Sequence, residues 1–383
     1  MFSKLIFFFK RHFSAERLQV DPVFRATIIV LVVFGLIMLT SASSIVAYNT
    51  YHDAYYFLKH QLVSVIIGAS LFWLASKTDY RHLRKIALFF LIASVLLLLL
   101  VFIPGLGREI NGSRSWVNLF GYSFQPAEFV KLALMIYLAA LFEKKEDTPK
   151  RFKSFLVLYA GLALLMLLQP DIGTLFILTL ASFALYYIGG GSLKHILSLI
   201  AIAIIGLSIL VMIPQGRYRL DRFRCLIDSS YSPQKACYQL NQSLLAIGSG
   251  GIFGRGLGES RQKFLYLPEV QNDFIFAIIA EETGLIFSVL LIGLFGLLFY
   301  RGYLIAIYAP DSFGRNMGAG IIIWLMVQVI LNIGGITSIL PMTGVPLPLV
   351  SYGGTAMMAG LAGLGVLASI SKQANIPQRS RSI

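Results

Sequence analysis

The chain reads as an all-α, polytopic membrane protein with about ten transmembrane helices, both termini cytoplasmic and one long extracytoplasmic loop. Three observations lead there. Of 383 residues, 57% are hydrophobic and 13% charged, about half the charged share of a soluble domain, which is too little to cover the surface of a water-soluble enzyme. Apolar runs of membrane-spanning length recur along the whole chain. The 32 lysines and arginines outnumber the 18 acidic residues, for a net charge of +14, and they concentrate in alternate connections between those runs.

Residues 1–22 form a cytoplasmic N-terminal segment. Its basic residues Lys4, Lys10, Arg11 and Arg17 flank an apolar patch, Leu5 to Phe9, too short for a cleavable signal, so the first long run is a retained anchor. The patch suits either the inner membrane surface or a disordered tail. Residues 23–371 make one membrane domain with spans at 23–43, 61–76, 86–103, 126–142, 154–169, 172–190, 195–213, 274–299, 316–340 and 355–371. Backbone polar groups inside a bilayer must pair within the segment, so each span is a helix. Residues 372–383 are a cytoplasmic tail. With the N-terminus inside, the inner connections hold 20 basic residues and the short outer ones 3, the asymmetry expected of a positive-inside topology. The excess charge is therefore a topology signal, and nucleic acid is not an expected partner.

The outer loop at 214–272 breaks the pattern, with eight basic residues, aromatics such as Tyr218, Phe223, Tyr238, Phe264 and Tyr266, and both cysteines. A loop this long is functional or disordered, and its apolar content favours an ordered surface on the membrane. Cys225 and Cys237 face the oxidising side, where a disulfide and two free thiols are both open. The stretch Gly248–Gly258 lacks a Walker lysine and a βαβ setting, so its glycines suit tight turns, with contact of its backbone N–H groups and Arg255 to a phosphate left open. The five histidines lie apart, without the spacing of a zinc site.

Some residues are out of place in a membrane. Glu128 and Lys131 open the fourth span at i, i+3 on one face. The pair suits a structural ion pair and a functional site equally. Asp273 precedes the eighth span, where it can cap the helix or act as a partly desolvated general base. Residues 340–354 carry Pro341, Pro346 and Pro348 among small residues, the pattern of a re-entrant segment lining a cavity. The expected site is a cavity open to the outer face, walled by this segment, the Glu128/Lys131 helix and the long loop.

Three blocks resemble a known family: Gln125-Pro126-Ala127-Glu128 with Lys131; Leu267-Pro268-Glu269 through Asp273-Phe274-Ile275-Phe276-Ala277 to Glu281-Glu282; and Pro346-Leu347-Pro348 with Ser351-Tyr352-Gly353-Gly354. Their order and the span count are similar to the SEDS (shape, elongation, division and sporulation) proteins FtsW, RodA and SpoVE over nearly the whole chain. The loop wording Tyr238-Gln239-Leu240 and Gly256-Leu257-Gly258-Glu259-Ser260 looks more like the division branch than the elongation branch, while Val345-Pro346-Leu347-Pro348 is shared more with the latter. The cysteine pair is not part of the family pattern.

The resemblance implies a peptidoglycan glycosyltransferase of the bacterial cytoplasmic membrane that polymerises lipid II on the outer face. Asp273 matches the family's essential aspartate and is the expected catalytic base. Glu128, Lys131, Gln125 and Ser351 fall in motifs expected to contact substrate. Lys131, Arg114 and Lys263 are the expected positive charges for the leaving pyrophosphate. Arg114 departs from the common pattern because Ser115 separates it from Trp116. No tightly bound cofactor is implied, although Mg2+ or Mn2+ would suit the pyrophosphate. The implied partners are lipid II, an undecaprenyl-linked glycan, a class B penicillin-binding protein, and other division or elongation membrane proteins. The alternatives are a lipid II flippase, an elongation polymerase and a non-catalytic scaffold.

Overall fold

The computed structural model describes residues 19–110, 112–119, 122–143, 149–201, 224–228, 231–232 and 237–376. The expectations for the Leu5–Phe9 patch, most of the seventh span, Tyr218, Phe223 and the end of the tail lie outside the described residues.

Helix α1 (Pro22–Tyr51) starts where Asp21 accepts a bond from the Phe24 N–H at 2.8 Å, with Pro22 in the first turn, where a missing N–H costs nothing. Helices α2 (Tyr56–Lys77) and α3 (Arg81–Leu99) follow. A three-stranded antiparallel meander then interrupts the helices: β1 (Gly107–Ile110), β2 (Ser113–Leu119) and β3 (Tyr122–Phe124). The all-α expectation lacked this sheet. Alternation along β2 buries Ser115 and Val117 and turns Arg114 and Trp116 to the other face, as a period of two requires.

Helix α4 (Pro126–Leu141) is buried on nearly every side. Helices α5 (Pro149–Leu168) and α6 (Ile172–Ile188) are joined at Gln169–Asp171, and residues 193–201 are again helical. Then come α7 (Tyr238–Gly250), α8 (Ile275–Ile307), α9 (Ser312–Ile336) and α10 (Gly354–Gln373). Among the described residues seven helices, α1, α2, α3, α5, α8, α9 and α10, are long and apolar enough to cross a membrane. The fourth and sixth expected spans are shorter, at 16 and 17 residues.

The large exposed side chains of α2, α3, α5 and α8 are apolar: Ile66, Trp73, Phe89, Leu96, Val157, Leu164, Phe287 and Leu290. Outward-facing apolar side chains beside buried polar ones mark a surface solvated by lipid. Helices α4, α9 and α10 form the centre, where Trp324, Met135, Leu364 and Leu367 pack at or near complete burial.

Helix α8 is broken. Gly284 has φ 77° and ψ −175°, a conformation only glycine adopts without strain. The interruption releases main-chain groups, and the glycine-rich stretch pairs with them. Arg255 and Gly256 N–H groups donate to the Glu281 and Glu282 carbonyls, and Leu285 and Ile286 donate to Gly251 and Ile252. A Cβ on Gly284 would stand 2.3 Å from the Gly254 nitrogen. The first two turns of α8, from Ile275 to Glu282, are buried, whereas from Leu285 onward it presents apolar side chains outward. The break therefore falls where lipid contact begins.

Candidate active site

A column of polar groups runs through the centre of the helices. At its inner end Lys131 donates to Glu128 at 2.8 Å, both side chains being at most 3% exposed. The ammonium also donates to Gln328 at 3.1 Å and lies 5.5 Å from the Trp324 ring. Gln328 and Asn332 sit one turn apart on α9, on the same face. Gln328 Nε2 donates to the Pro346 carbonyl at 3.1 Å. Asn332 Nδ2 donates to the Val345 carbonyl at 2.7 Å and to the Asp273 carbonyl at 2.8 Å. Two α9 amides thus satisfy the irregular backbone of residues 341–353 and tie it to Asp273. Non-helical backbone among transmembrane helices needs this kind of internal partner. The segment is non-helical and packed among the helices, as a re-entrant segment would be.

Asp273 lines a small pocket with Leu331, Asn332, Gly335, Ile336 and the run Met342–Val345. The first residue capping α8 is Phe274, so Asp273 does not take the N-cap position expected for it. Its turn is sewn down from both sides. Glu269 accepts from the Asn272 side chain at 2.6 Å, and the Gln271 carbonyl accepts from the Tyr352 N–H at 2.8 Å. Gly344, at φ 68°, passes close enough that a Cβ there would stand 3.4 Å from Asp273 Oδ2. Two further pocket atoms, Thr343 Oγ1 and Asn332 Oδ1, are buried with no protein hydrogen-bond partner. A carboxylate beside two unmatched polar atoms suits a hydroxyl-bearing ligand, since buried polar atoms without partners are uncommon.

The expected open cavity is only partly what the structure shows. The pocket is walled by α9, the re-entrant segment and the Asp273 turn, while Glu128 and Lys131 lie deeper, closed off by Gln328 and Trp324. Ser351, expected to contact substrate, is 4% exposed: its hydroxyl accepts from the Leu347 N–H at 2.9 Å and its carbonyl from Gln61 at 3.1 Å, bonds that shape the loop.

Lys263 is held within the protein. Its ammonium donates to Glu282 at 3.0 Å, to the Gly258 carbonyl at 2.6 Å and to Ser41 at 3.4 Å. None of these partners lines the Asp273 pocket. Beside it Glu281 accepts from Ser260 at 2.5 Å and from the Arg261 N–H at 3.0 Å. Two adjacent carboxylates, each about 1% exposed, anchor the outer loop to α8 just before the break. Glu281 and Glu282 were visible in the sequence as consecutive acids inside an apolar run. Gln328 and Asn332 left the same kind of trace.

Gln125 stands at the start of α4, its side chain donating to Asp171 at 3.3 Å. Asp171 also caps α6 through the Thr174 N–H at 3.0 Å. Arg114 is held beside this turn, its N–H donating to the Gln169 carbonyl at 3.2 Å. Ser115 does not separate Arg114 from Trp116 in space, because strand alternation sends it to the opposite face. Among the described residues no three His, Cys, Asp or Glu side chains converge as metal ligands.

Cys225 and Cys237 are joined by a disulfide, which settles the question the sequence left open. Disulfides persist outside the reducing cytosol, so the face carrying this bond and Asp273 agrees with the outer side given by the basic residues.

The family described as cell cycle protein, comprising FtsW, RodA and SpoVE, matches residues 22–376. Stage V sporulation protein E of Bacillus subtilis is 38% identical over 349 residues, spanning 90% of this chain and 94% of that one. The probable peptidoglycan glycosyltransferase FtsW of Geobacter metallireducens is 36% identical over 355 residues, spanning 92% and 94%. Among solved structures, a peptidoglycan synthase complex described as coordinating polymerization and crosslinking superposes with a TM-score of 0.75 at 29% identity, covering 92% of this chain and 97% of its counterpart. The rod shape determining protein RodA of Thermus thermophilus gives 0.69 at 29% identity, covering 92% and 97%.

Proposed function

Because the chain belongs to the FtsW, RodA and SpoVE family of cell cycle proteins, we propose that it is a peptidoglycan glycosyltransferase polymerising lipid II at the outer face of the bacterial cytoplasmic membrane. The observation that carries this reading is the Asp273 pocket, where a carboxylate lies beside two buried polar atoms without partners. Asp273 takes the proton from the 4-hydroxyl of the acceptor sugar, Thr343 Oγ1 donates to that oxygen, and Asn332 Oδ1 accepts from a neighbouring hydroxyl or amide N–H of the substrate. The oxygen attacks the anomeric carbon of the growing glycan from the face opposite its lipid pyrophosphate. An α-linked donor yields a β-1,4 bond by single displacement, and no covalent nucleophile is needed. Arg114, partly exposed beside the Gln169 turn, is the cation assigned here to the pyrophosphate; Lys263 holds Glu282.

A septal role is favoured by the relatives named FtsW at 36–37% identity. The partner is a class B penicillin-binding protein that crosslinks the new strand, consistent with the synthase complex it resembles. The experiment is glycan formation from purified lipid II. Asp273→Asn in folded protein should lower turnover by about 10²-fold or more, and full activity in that variant would end the assignment. Translocation of lipid II in liposomes without polymer would favour the flippase instead. Depletion that rounds cells rather than making filaments would move the role from septum to side wall.

A further inference from the structure

The disulfide lies against the wall of the pocket just described. Cys225 and Cys237 are 3% and 0% exposed and form a small apolar cluster with Leu240, against which Leu244 and Met342 pack. Met342 lines the Asp273 pocket. One turn along α7, Ser243 Oγ donates to the carbonyl of Ile336 at 3.1 Å, and Ile336 lines the same pocket. Helix α7 begins directly after Cys237, which occupies the cap position, and no side chain caps that end. The covalent tether therefore holds the first turn of the helix that braces two wall residues.

We propose that oxidation of Cys225 and Cys237 is a maturation step for this enzyme, and that the two cysteines are positioning residues acting through Met342 and Ile336. The chain has two cysteines in all, so oxidation has one intrachain product. The chemistry is thiol–disulfide exchange. The thiolate of one cysteine attacks a sulfur of a donor disulfide, giving a mixed disulfide, and the second thiolate displaces the donor. Two electrons and two protons leave with the donor as a dithiol. The partner required is a protein disulfide oxidant on the outer side of the membrane. Burial of both sulfurs then protects the product from reduction.

The kinetic part of this inference rests on the polymerase reading, so the test carries a second readout. Wild-type protein is purified from cells with and without their exported disulfide oxidant, and thiols are counted by mass after alkylation. Reduced wild type, and the variant Cys225→Ser with Cys237→Ser, should show about tenfold or greater loss of kcat with KM for lipid II nearly unchanged. Met342→Ala, made with the disulfide intact, should reproduce the loss and add nothing to the double serine variant. Amide exchange across residues 334–345 should quicken about tenfold in every chain lacking the bond. Equal kcat in oxidised and reduced wild type, or full activity in oxidised Met342→Ala, overturns the proposal. If oxidised wild type makes no glycan, the polymerase reading fails alone. Unchanged exchange across 334–345 would then overturn this one independently.

Discussion

Replacing Lys131 with Met keeps the length of the side chain and removes its charge. The ammonium has two hydrogen bonds, to Glu128 at 2.8 Å and Gln328 at 3.1 Å, and a contact with the Trp324 ring. Gln328 Oε1 keeps a donor in the variant, since Trp324 Nε1 reaches it at 3.1 Å. Glu128 does not fare as well. Its Oε2 already has no partner, so Lys131→Met strands a carboxylate that is 2% exposed. Breaking a buried pair from one side costs about 3–5 kcal/mol, whereas replacing both charges by neutral groups of similar size is often close to neutral. Lys131→Met should therefore destabilise by about 3–5 kcal/mol, and the pair Glu128→Gln with Lys131→Met should recover most of that loss. Unfolding in mixed micelles titrated with a denaturing detergent, followed by tryptophan fluorescence, measures both. A single variant within about 1 kcal/mol of wild type, or a double variant as unstable as the single, would refute the buried-pair reasoning.

Gly284→Ala places a Cβ 2.3 Å from the Gly254 nitrogen at a φ of 77°, and should cost about 2 kcal/mol or more in thermal melts. Asn332→Leu leaves the Asp273 and Val345 carbonyls without their donor, at about 1–3 kcal/mol each; polymer formation should fall sharply in protein that still extracts as a monodisperse species. At the opposite end of α8 from Asp273, burial pushes the Asp311 carboxyl up, but bonds from Tyr80, the Gly314 N–H and Arg81 outweigh it and hold it below the usual range. A carboxyl lowered on folding contributes stability above its unfolded value, and loses it as pH falls through the folded one. Wild type should weaken more than Asp311→Asn on acidification below about pH 4, measured as melting temperature against pH.

The helices were legible because a bilayer enforces them. A run of apolar residues such as 86–103 has one stable outcome, and the polar exceptions inside such runs, Glu128 and Lys131, announced a buried pair. The boundaries were less legible. Helix α1 continues to Tyr51, well past the end of its apolar run, because aromatic residues can extend a helix into the interfacial region. The sheet at Gly107–Phe124 escaped notice because its short strands flank turns and bury one face only. At the site, Asp273 was readable from its motif, but its surroundings were not. Gln328 and Asn332 lie one turn apart in sequence, yet their partners at 345–346 and 273 come from elsewhere in the chain. Lys263 and Ser351 were assigned to substrate by the blocks they belong to. Their partners within the protein, Glu282, Ser41 and Gln61, are set by tertiary packing that motif membership does not encode.

The pairing between the glycine-rich stretch and the break in α8 is made by main-chain atoms. Ser249 and Arg255 add side-chain contacts to Glu281, but the bulky apolar side chains contribute little: Ile252 and Phe253 are 57% and 81% exposed. Mutational tolerance in this region should therefore be inverted relative to ordinary expectation. The bulky residues are interchangeable with others of similar polarity, while Gly250, Gly254 and Gly284, which have no side chains to lose, are the positions that drift cannot touch.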